Sequence, residues 1–566
     1  MPWPALSIAA ATDILTAPGA PFEIGEEWIR GVRQRVWRSG PQTSADLMRA
    51  ARGHGDRTFL VHDDVRVSFA AFHRAVAAMA RALIETGIQP GDRVAIAMRN
   101  LPEWPVAFHA AIAAGAIAVP LNAWWLGSEL AYALGDSGAR ILVADAERAV
   151  RIAPHRAELP TLGRMLVCGT PELDALVGPP SGWSTLADDE LPGIELTPET
   201  DAAILYTSGT SGKPKGALCT QRNMVANVTG AAFANARALL RRGEPLTAPH
   251  PDAPQQGALL GVPLFHGTGC FAWLNPALHA GRKVVLMHRW DATEALALIE
   301  RERLTIVGGV PTIALQLVKH PDRLRHDLTS VRTVSYGGAA APPDLIRWIR
   351  ETFSNAVASH GWGMTETAAL ACTHSAEDYA NRPTSCGPAV PVGEMQIRSI
   401  EDGAVLPAGE IGELWFKGPQ VVKGYWNDPQ ATAETFIDGW VRTGDIARLD
   451  AEGFCYIVDR ARDMVIRGGE NIYCVEVENA LHKHPDVVDA ALLGMPHPLL
   501  GEEPVAVVAL APGATLDAAG LTAFAAGRLA TFKVPARIHI WDRPLPRNAN
   551  GKIIKRELKE ALITPA

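Results

Sequence analysis

Residues 91–145 read GDRVAIAMRNLPEWPVAFHAAIAAGAIAVPLNAWWLGSELAYALGDSGARILVAD. Within them VAIAM is a short continuous apolar run, the pattern of a strand buried on both faces. PVAFHAAIAAG has helical character, AIAVPL is a second apolar run, and SELAYALGDSG followed by ARILVAD repeats the alternation. Strands that alternate with helices build a parallel sheet, so the fold class is α/β. The pattern extends both ways. Upstream, Ser68 is placed as the N-cap of FAAFHRAVAAMARALIETG, whose apolar residues recur at helical spacing and which Gly87 stops. Downstream, KVVLM, DATEALALIERER, LTIVGGVP, a further helix and VRTVSYGG continue it. Residues 22–60 read as polar and partly helical, and the Pro-rich residues 239–257 as a surface loop. From about residue 385, short runs such as MQIRSI, GELWFKG and FCYIVD between Gly, Pro and Asp turns read as β-rich. From about residue 462 a small α/β unit follows, with VEVENALHKHP helical and AALLGMP and PVAVVALAP strand-like.

The chain has 566 residues, 48% of them hydrophobic, which is too much for one core. A net charge of -8 argues against a nucleic-acid partner, although a local basic patch for a polyphosphate remains compatible with it. The seven cysteines form no CxxC pair, so neither a zinc site nor a disulfide framework is expected, and reduced thiols in a cytoplasmic protein are. The N-terminus has no early Lys or Arg and is interrupted by Asp13, a poor signal peptide. No run of about 18 apolar residues predicts an integral membrane segment.

The segment Tyr206-Thr-Ser-Gly-Thr-Ser-Gly-Lys-Pro-Lys-Gly216 carries the most chemistry. Its glycines let backbone approach a ligand, and N–H groups in such a loop form an anion-binding concavity. Thr207, Ser208, Thr210 and Ser211 add hydroxyls, and Lys213 and Lys215 add charge, a set suited to polyphosphate. It is not a Walker A loop: the glycine spacing is shorter and Pro214 follows Lys213. Four further constellations follow: Pro263-Leu-Phe-His266-Gly-Thr-Gly269, Ser335-Tyr-Gly-Gly-Ala-Ala340, His360-Gly-Trp-Gly-Met-Thr-Glu-Thr367, and Trp440-Val-Arg-Thr-Gly-Asp445. Val458-Asp-Arg460, Arg462-Asp463, Ile466-Arg-Gly-Gly-Glu-Asn-Ile472 and Pro546-Arg-Asn-Ala-Asn-Gly-Lys552 complete the set. Taken singly, each has a plain structural explanation: a packed histidine, a tight turn, a helix cap, a solvated lysine.

Together and in this order they resemble the adenylate-forming superfamily of acyl-CoA synthetases, luciferases and peptide-synthetase adenylation domains, in its acyl-CoA synthetase branch. The resemblance runs from about residue 50 to the end. It implies a large N-terminal domain of stacked α/β sheets, residues 1–461, with a β-rich subdomain at about 385–461, and a small mobile α+β C-terminal domain, residues 462–566. It implies that Thr207, Ser208, Gly209, Thr210, Ser211, Gly212 and Lys213 hold ATP phosphates. Gly338, Ala339 and Ala340 would contact adenine, with Gly361 beside them and Trp362 stacked on the base. Thr365 would bond the α-phosphate and Glu366 would ligate Mg2+. Asp445 would accept the ribose hydroxyls, with Arg460 near ribose and phosphate. Arg462 would be the hinge, and Arg467, Gly468 and Gly469 would line a tunnel for coenzyme A. Lys552 would be the adenylation lysine, offsetting charge as the carboxylate attacks phosphorus.

The acyl pocket implied by the resemblance comprises His266, Gly267, Thr268, Cys270, Gly309, Gly337, Gly363 and Met364. These are small or apolar apart from the first, which favours a hydrophobic monocarboxylic acid: a fatty, arylalkanoic or steroid side-chain acid. The chain departs from the family pattern in Trp362 for the commoner tyrosine, in Arg462 for Asp or Lys, in Cys474 near a usual proline, and in Cys270 where some long-chain members have a gate tryptophan. The implied activity is an AMP-forming acid–CoA ligase that takes a small-molecule carboxylic acid, ATP and coenzyme A, with Mg2+. A homodimer is compatible with it. The alternatives are an adenylating enzyme for a carrier protein or other non-CoA acceptor, a luciferase-like oxygenase, and a non-catalytic nucleotide sensor. A carrier domain after Lys552 is not expected, and a sensor is expected to have lost Lys552 or Glu366.

Overall fold

The computed structural model describes residues 3–207, 213–246, 253–339, 341–461, 463–467, 470–548 and 551–563. It is mixed α/β throughout. Its contacts group the chain into two compact units. The first comprises Met1–Gly338, Ile346–Met395 and Phe416–Val441, and the second Ala339–Leu345, Gln396–Trp415 and Arg442–Ala566.

Two large sheets dominate the first unit. In one, the strands Asp201–Thr207, Ile117–Pro120, Arg93–Ala97, Ile141–Ala144 and Arg164–Val167 lie parallel in that spatial order. Val94 faces Ala118 on one side and Ile141 on the other, and the strand is buried from Val94 to Ala97, which is why its sequence is apolar without alternation. Lys215–Thr220 and then Gly424–Tyr425 add antiparallel at the edge. The second sheet has eight strands. Parallel neighbours run Val357–Trp362, Thr333–Gly337, Ile306–Gly309, Gly257–Leu260, Lys283–Leu286 and Thr58–His62. Antiparallel strands, Cys372–Ser375 and Val65–Ser68, close its two edges.

Crossover helices cover the sheets where the periodicity places them. Phe69–Glu85 starts at Ser68, whose hydroxyl accepts the Ala71 N–H, and ends before Gly87 at φ +94°. Phe69, Phe72, Val76, Met79 and Leu83 make its buried stripe, each worth about 1.5–3 kcal/mol on removal from water. The 21-residue helix Gln221–Arg241 opens with a capping box between Thr220 and Asn223. It packs on Lys215–Thr220 of one sheet and Cys372–Ser375 of the other.

Two stretches differ from expectation. Within residues 22–60 the strands Ile24–Ile29 and Val32–Trp37 form a hairpin ahead of the helix Ser44–Arg52. Its turn is Arg30-Gly31, both at positive φ, +51° and +80°. No Asn-Gly or Asp-Gly marks that turn, so the usual hairpin signal is missing. The expected loop over 239–257 starts later, because the helix runs through Arg241, and residues 247–252 lie outside the described ones.

In the second unit, residues 445–449 of the strand Trp440–Leu449 pair antiparallel with Phe454–Arg460, with Asp445 opposite Arg460. The C-terminal part centres on a long hairpin, Val487–His497 with Gly501–Leu510, which Arg537–Trp541 joins in parallel. On one face the helices Cys474–His482 and Ala518–Ala526 bury Val477, Leu481 and Leu521 against Leu492, Ala506 and Val508. On the other, Leu545 and Leu558 pack against Leu493, Val505 and Val507. The contacts thus place residues 396–415 and 442–461 with this α+β part, and the expected hinge residue Arg462 lies outside the described residues. No described helix is long and apolar enough to cross a membrane.

Candidate active site

The lysine-bearing loop joins two antiparallel strands. Thr207 ends one and Lys215 starts the other, directly opposite it. Ser208, Gly209, Thr210, Ser211 and Gly212, the loop residues expected to hold phosphate, lie outside the described residues. The loop's flanks are well anchored. Tyr206 donates to Asp136 Oδ2 at 2.6 Å and its phenol is pushed far up in pKa by burial. Lys213 is exposed, its Nζ 5.4 Å from the ring centre of Tyr132. Lys215 Nζ lies 3.7 Å from Asp428 and 5.2 Å from the ring centre of Tyr425.

The strand Val357–Trp362 delivers the second motif. Trp362 is half-buried against Ala371, Phe416, Val421 and Val441. Thr365–Thr367 then forms one 3-10 turn, tied by the Met364 N–H to Thr367 Oγ1 at 3.0 Å. Glu366 is 7% exposed. Its Oε1 accepts the Tyr425 hydroxyl at 2.7 Å, and its carbonyl accepts the Val422 N–H at 3.0 Å. Burial and the Glu366 charge hold the Tyr425 phenol far above its usual range. Ala368 and Ala369 follow at φ +47° and +89°, a left-handed pair that L-residues adopt only when their surroundings enforce it.

The buried Asn227 enforces it, and two further polar side chains, Asn223 and Arg30, hold the neighbouring segment 419–422. Asn227 donates through Nδ2 to the Ala368 carbonyl and accepts the Leu370 N–H through Oδ1 at 2.9 Å. One helical turn earlier, Asn223 Nδ2 donates to the carbonyls of Pro419 and Val421 at 2.7 and 3.0 Å. The hairpin-tip Arg30 donates to Val422 O at 2.8 Å and Val421 O at 2.9 Å. The segments flanking Glu366 are therefore held from both sides.

Around the expected acyl pocket, His266 Nδ1 accepts the Thr268 N–H at 3.2 Å, which leaves the proton of the neutral ring on Nε2. A π-helical turn, Thr268–Leu274, follows, a geometry enriched at functional sites. Cys270 in that turn is fully buried and its thiol is driven well up in pKa. Several pocket glycines are required by packing alone. A Cβ on Gly363 would fall 1.4 Å from the Ala369 carbonyl oxygen, on Gly337 2.6 Å from that of Gly361, and on Gly309 2.4 Å from Val262 Cγ1. Met364 is half-buried beside them, and Gly338 turns the chain at φ +79°.

In the second unit, Asp445 is 3% exposed, and Arg460 Nε approaches its Oδ1 at 3.1 Å across the strand pair. Thr443 Oγ1 holds the Asp445 N–H at 3.1 Å. Ala339 belongs to this unit and is half-buried, and Ala340 lies outside the described residues. Lys552 closes a tight turn: its N–H donates to Asn548 Oδ1 at 3.0 Å and its carbonyl accepts the Asn548 N–H at 2.9 Å. Arg547 secures that turn on Asp489 Oδ2 at 2.5 Å and on the Gly551 carbonyl. Arg467 ends the strand Val465–Arg467 with Nη1 donating to Phe532 O at 3.3 Å, while Gly468 and Gly469 lie outside the described residues.

Residues 47–426 match the AMP-binding enzyme family, and residues 476–552 match the AMP-binding enzyme C-terminal domain. The chain belongs to the AMP-binding enzyme family. A feruloyl-CoA synthase of an Amycolatopsis species is 37% identical to it over 513 residues, 90% of this chain and 97% of that protein. A 2-succinylbenzoate–CoA ligase of Geobacillus kaustophilus is 36% identical over 517 residues, 89% of this chain and 96% of its own. The ATP-bound MatB of Rhodopseudomonas palustris superposes with a TM-score of 0.80 at 29% identity, over 91% of this chain and 98% of MatB.

In this AMP-binding enzyme the motif reading overlooked Tyr425, Asn223, Asn227 and Arg30. Each acts on a segment far along the chain, so no local spacing marks it. The one available signal was the pair of asparagines four residues apart on one face of the helix Gln221–Arg241, since buried amides are kept only where they bond something.

Proposed function

We propose that this AMP-binding enzyme is an ATP-dependent carboxylic acid–CoA ligase. The observation that carries the reading is Glu366. It is a nearly buried carboxylate that commits Oε1 to Tyr425, while no described residue hydrogen-bonds Oε2. An available hard oxygen joined through Tyr425 to the strand that starts at Lys215 suits Mg2+, which prefers one or two carboxylates and shares phosphate oxygens. Glu366 would hold that ion, whose charge would offset that of the phosphates. The loop Thr207–Lys213 and Thr365 bind the phosphates, Trp362 stacks on adenine beside Gly361, Gly338, Ala339 and Ala340, and Asp445 with Arg460 takes the ribose. The relatives bear on the acceptor: one is named for feruloyl-CoA and another as a CoA ligase.

A carboxylate oxygen attacks the α-phosphorus and pyrophosphate leaves, so the protein's task is to position two anions and neutralise them. Lys552 supplies charge to that step. The CoA thiol, guided by Arg467, Gly468 and Gly469, then attacks the acyl carbon; AMP leaves and the thiol proton is lost. Arg462 is the hinge between domains 1–461 and 462–566. The acid is hydrophobic on this reading, because the pocket residues are small or apolar and apolar side chains stand against two of its glycines, Val262 and Ile313 at Gly309 and Leu205 and Ala369 at Gly267. His266, Thr268 and Cys270 border the same pocket.

The test is mass-spectrometric detection of acyl-CoA from ATP, Mg2+, CoA and a panel of aryl, fatty and steroid acids. A thioester that requires ATP and vanishes in Lys552→Ala supports the ligase. Lys552→Ala is expected to lose adenylation roughly 100-fold or more, in line with removal of one charge-stabilising donor, yet to accept preformed acyl-adenylate. AMP and pyrophosphate without thioester would point to another acceptor. Absence of both products with every acid would overturn the reading.

A further inference from the structure

The strand that leaves the lysine-bearing loop and the carboxylate of Glu366 are joined through one side chain. Tyr425 sits on the two-residue strand Gly424–Tyr425, antiparallel to Lys215–Thr220, with Tyr425 opposite Ala217. Its N–H donates to Thr432 Oγ1 at 2.9 Å. Phe436 meets its ring edge-on at 5.5 Å, and Lys215 Nζ lies 5.2 Å from the ring centre. Its hydroxyl donates to Glu366 Oε1 at 2.7 Å. Backbone, ring and hydroxyl are thus each fixed by a different partner, and the last of them is a carboxylate on a segment 59 residues away in sequence.

We propose that Tyr425 is a positioning residue that orients the Glu366 carboxylate so that Oε2 stays available to a divalent cation. This rests on the reading of Glu366 as the Mg2+ ligand. A glutamate side chain has several rotamers, and an unanchored one samples orientations that turn the donor oxygen away from the metal. The hydroxyl removes that freedom by holding Oε1 in a 2.7 Å hydrogen bond, while the ring that carries it is itself fixed by Phe436. Lys215 over the same ring ties the loop's exit strand to the carboxylate, so the phosphate-binding and metal-binding groups share one anchor.

Tyr425→Phe deletes the hydroxyl and keeps the ring between Phe436 and Lys215. Three readouts are needed: Mg2+ titration of ATP–pyrophosphate exchange, Mn2+ binding by electron paramagnetic resonance in the presence of ATP, and melting temperature. The loss of one hydrogen bond to a charged group is expected to raise the half-saturating Mg2+ roughly tenfold. Mn2+ should bind correspondingly more weakly, with the KM for the acid unchanged, the melting temperature lowered by no more than the loss of one hydrogen bond requires, and exchange recovered at high Mg2+. A Tyr425→Phe enzyme that titrates with metal as the unmodified protein does would overturn the proposal. So would one that loses exchange at every Mg2+ concentration with unaltered Mn2+ affinity. Glu366→Gln, measured alongside, separates the two readings. If it leaves the metal response intact, the ligand assignment of Glu366 fails; if it abolishes the response while Tyr425→Phe does not change it, only the positioning role of Tyr425 falls.

Discussion

Asp445 shows how a residue with an ordinary sequence context acquires a special environment. In sequence it is one carboxylate in a Thr-Gly-Asp turn; in the fold it is nearly buried, with Arg460 at 3.1 Å across the strand pair and Thr443 holding its N–H. The guanidinium sets a positive charge against the carboxylate, which on the proposed reading takes the ribose hydroxyls. Asp445→Ala removes that acceptor and leaves Arg460 without its cross-strand partner. Steady-state kinetics should show the KM for ATP rising roughly tenfold or more, the value of one charged hydrogen bond, with a smaller change in kcat at saturating ATP. An unchanged KM would mean that Asp445 and Arg460 are a structural pair. Gly363 teaches the converse lesson: its lack of a side chain follows from the Ala369 carbonyl lying where a Cβ would stand, so smallness there reports packing before it reports pocket size.

At the scale of an element, the helix Gln221–Arg241 does more than cover sheets. Its buried polar face, Asn223 and Asn227 with Arg237 farther along, bonds backbone of the segments 419–421 and 368–373. Asn227→Ala would strand the Leu370 N–H and the Ala368 carbonyl beside two left-handed alanines. Such unsatisfied buried groups cost about 1–3 kcal/mol. Thermal unfolding should show a melting temperature lower by several degrees, and Asn227→Ser should lose less if a shorter acceptor still reaches. Helices, parallel strands and their order were legible in the sequence because long apolar periodicity is local information. The hairpin Ile24–Ile29 with Val32–Trp37 was not. Its turn uses Arg30, a poor left-handed residue, and the reason for an arginine there is a pair of carbonyls about 390 residues downstream.

Across the whole molecule, buried titratable groups give stability opposing pH trends. In the first unit, burial depresses His109 and His360 to about 4 and His374 to about 3. Unfolding frees them to bind protons below about 6.5, so their contribution is full above that pH and is lost as pH falls towards 4. In the second unit, burial raises Asp459 to about 6 from 3.8. Its contribution is fully present below the lower value and is lost as pH rises through the higher one, by roughly 2–3 kcal/mol. Comparing melting temperatures of Asp459→Asn and the unmodified protein between pH 4 and 7 should show the variant gaining relative stability as pH rises. A constant difference across that range would mean that Asp459 does not titrate there. The sequence by itself determined the α/β class, the alternation of helices and parallel strands and the family, because apolar period, turn residues and motif order are all written locally. Only tertiary structure decided that Tyr425 and Glu366 meet, that Asp445 faces Arg460, and that Asn223, Asn227 and Arg30 brace the Thr-Glu turn. Such pairings depend on which distant backbone groups are buried unsatisfied, and that is known only once the chain has packed.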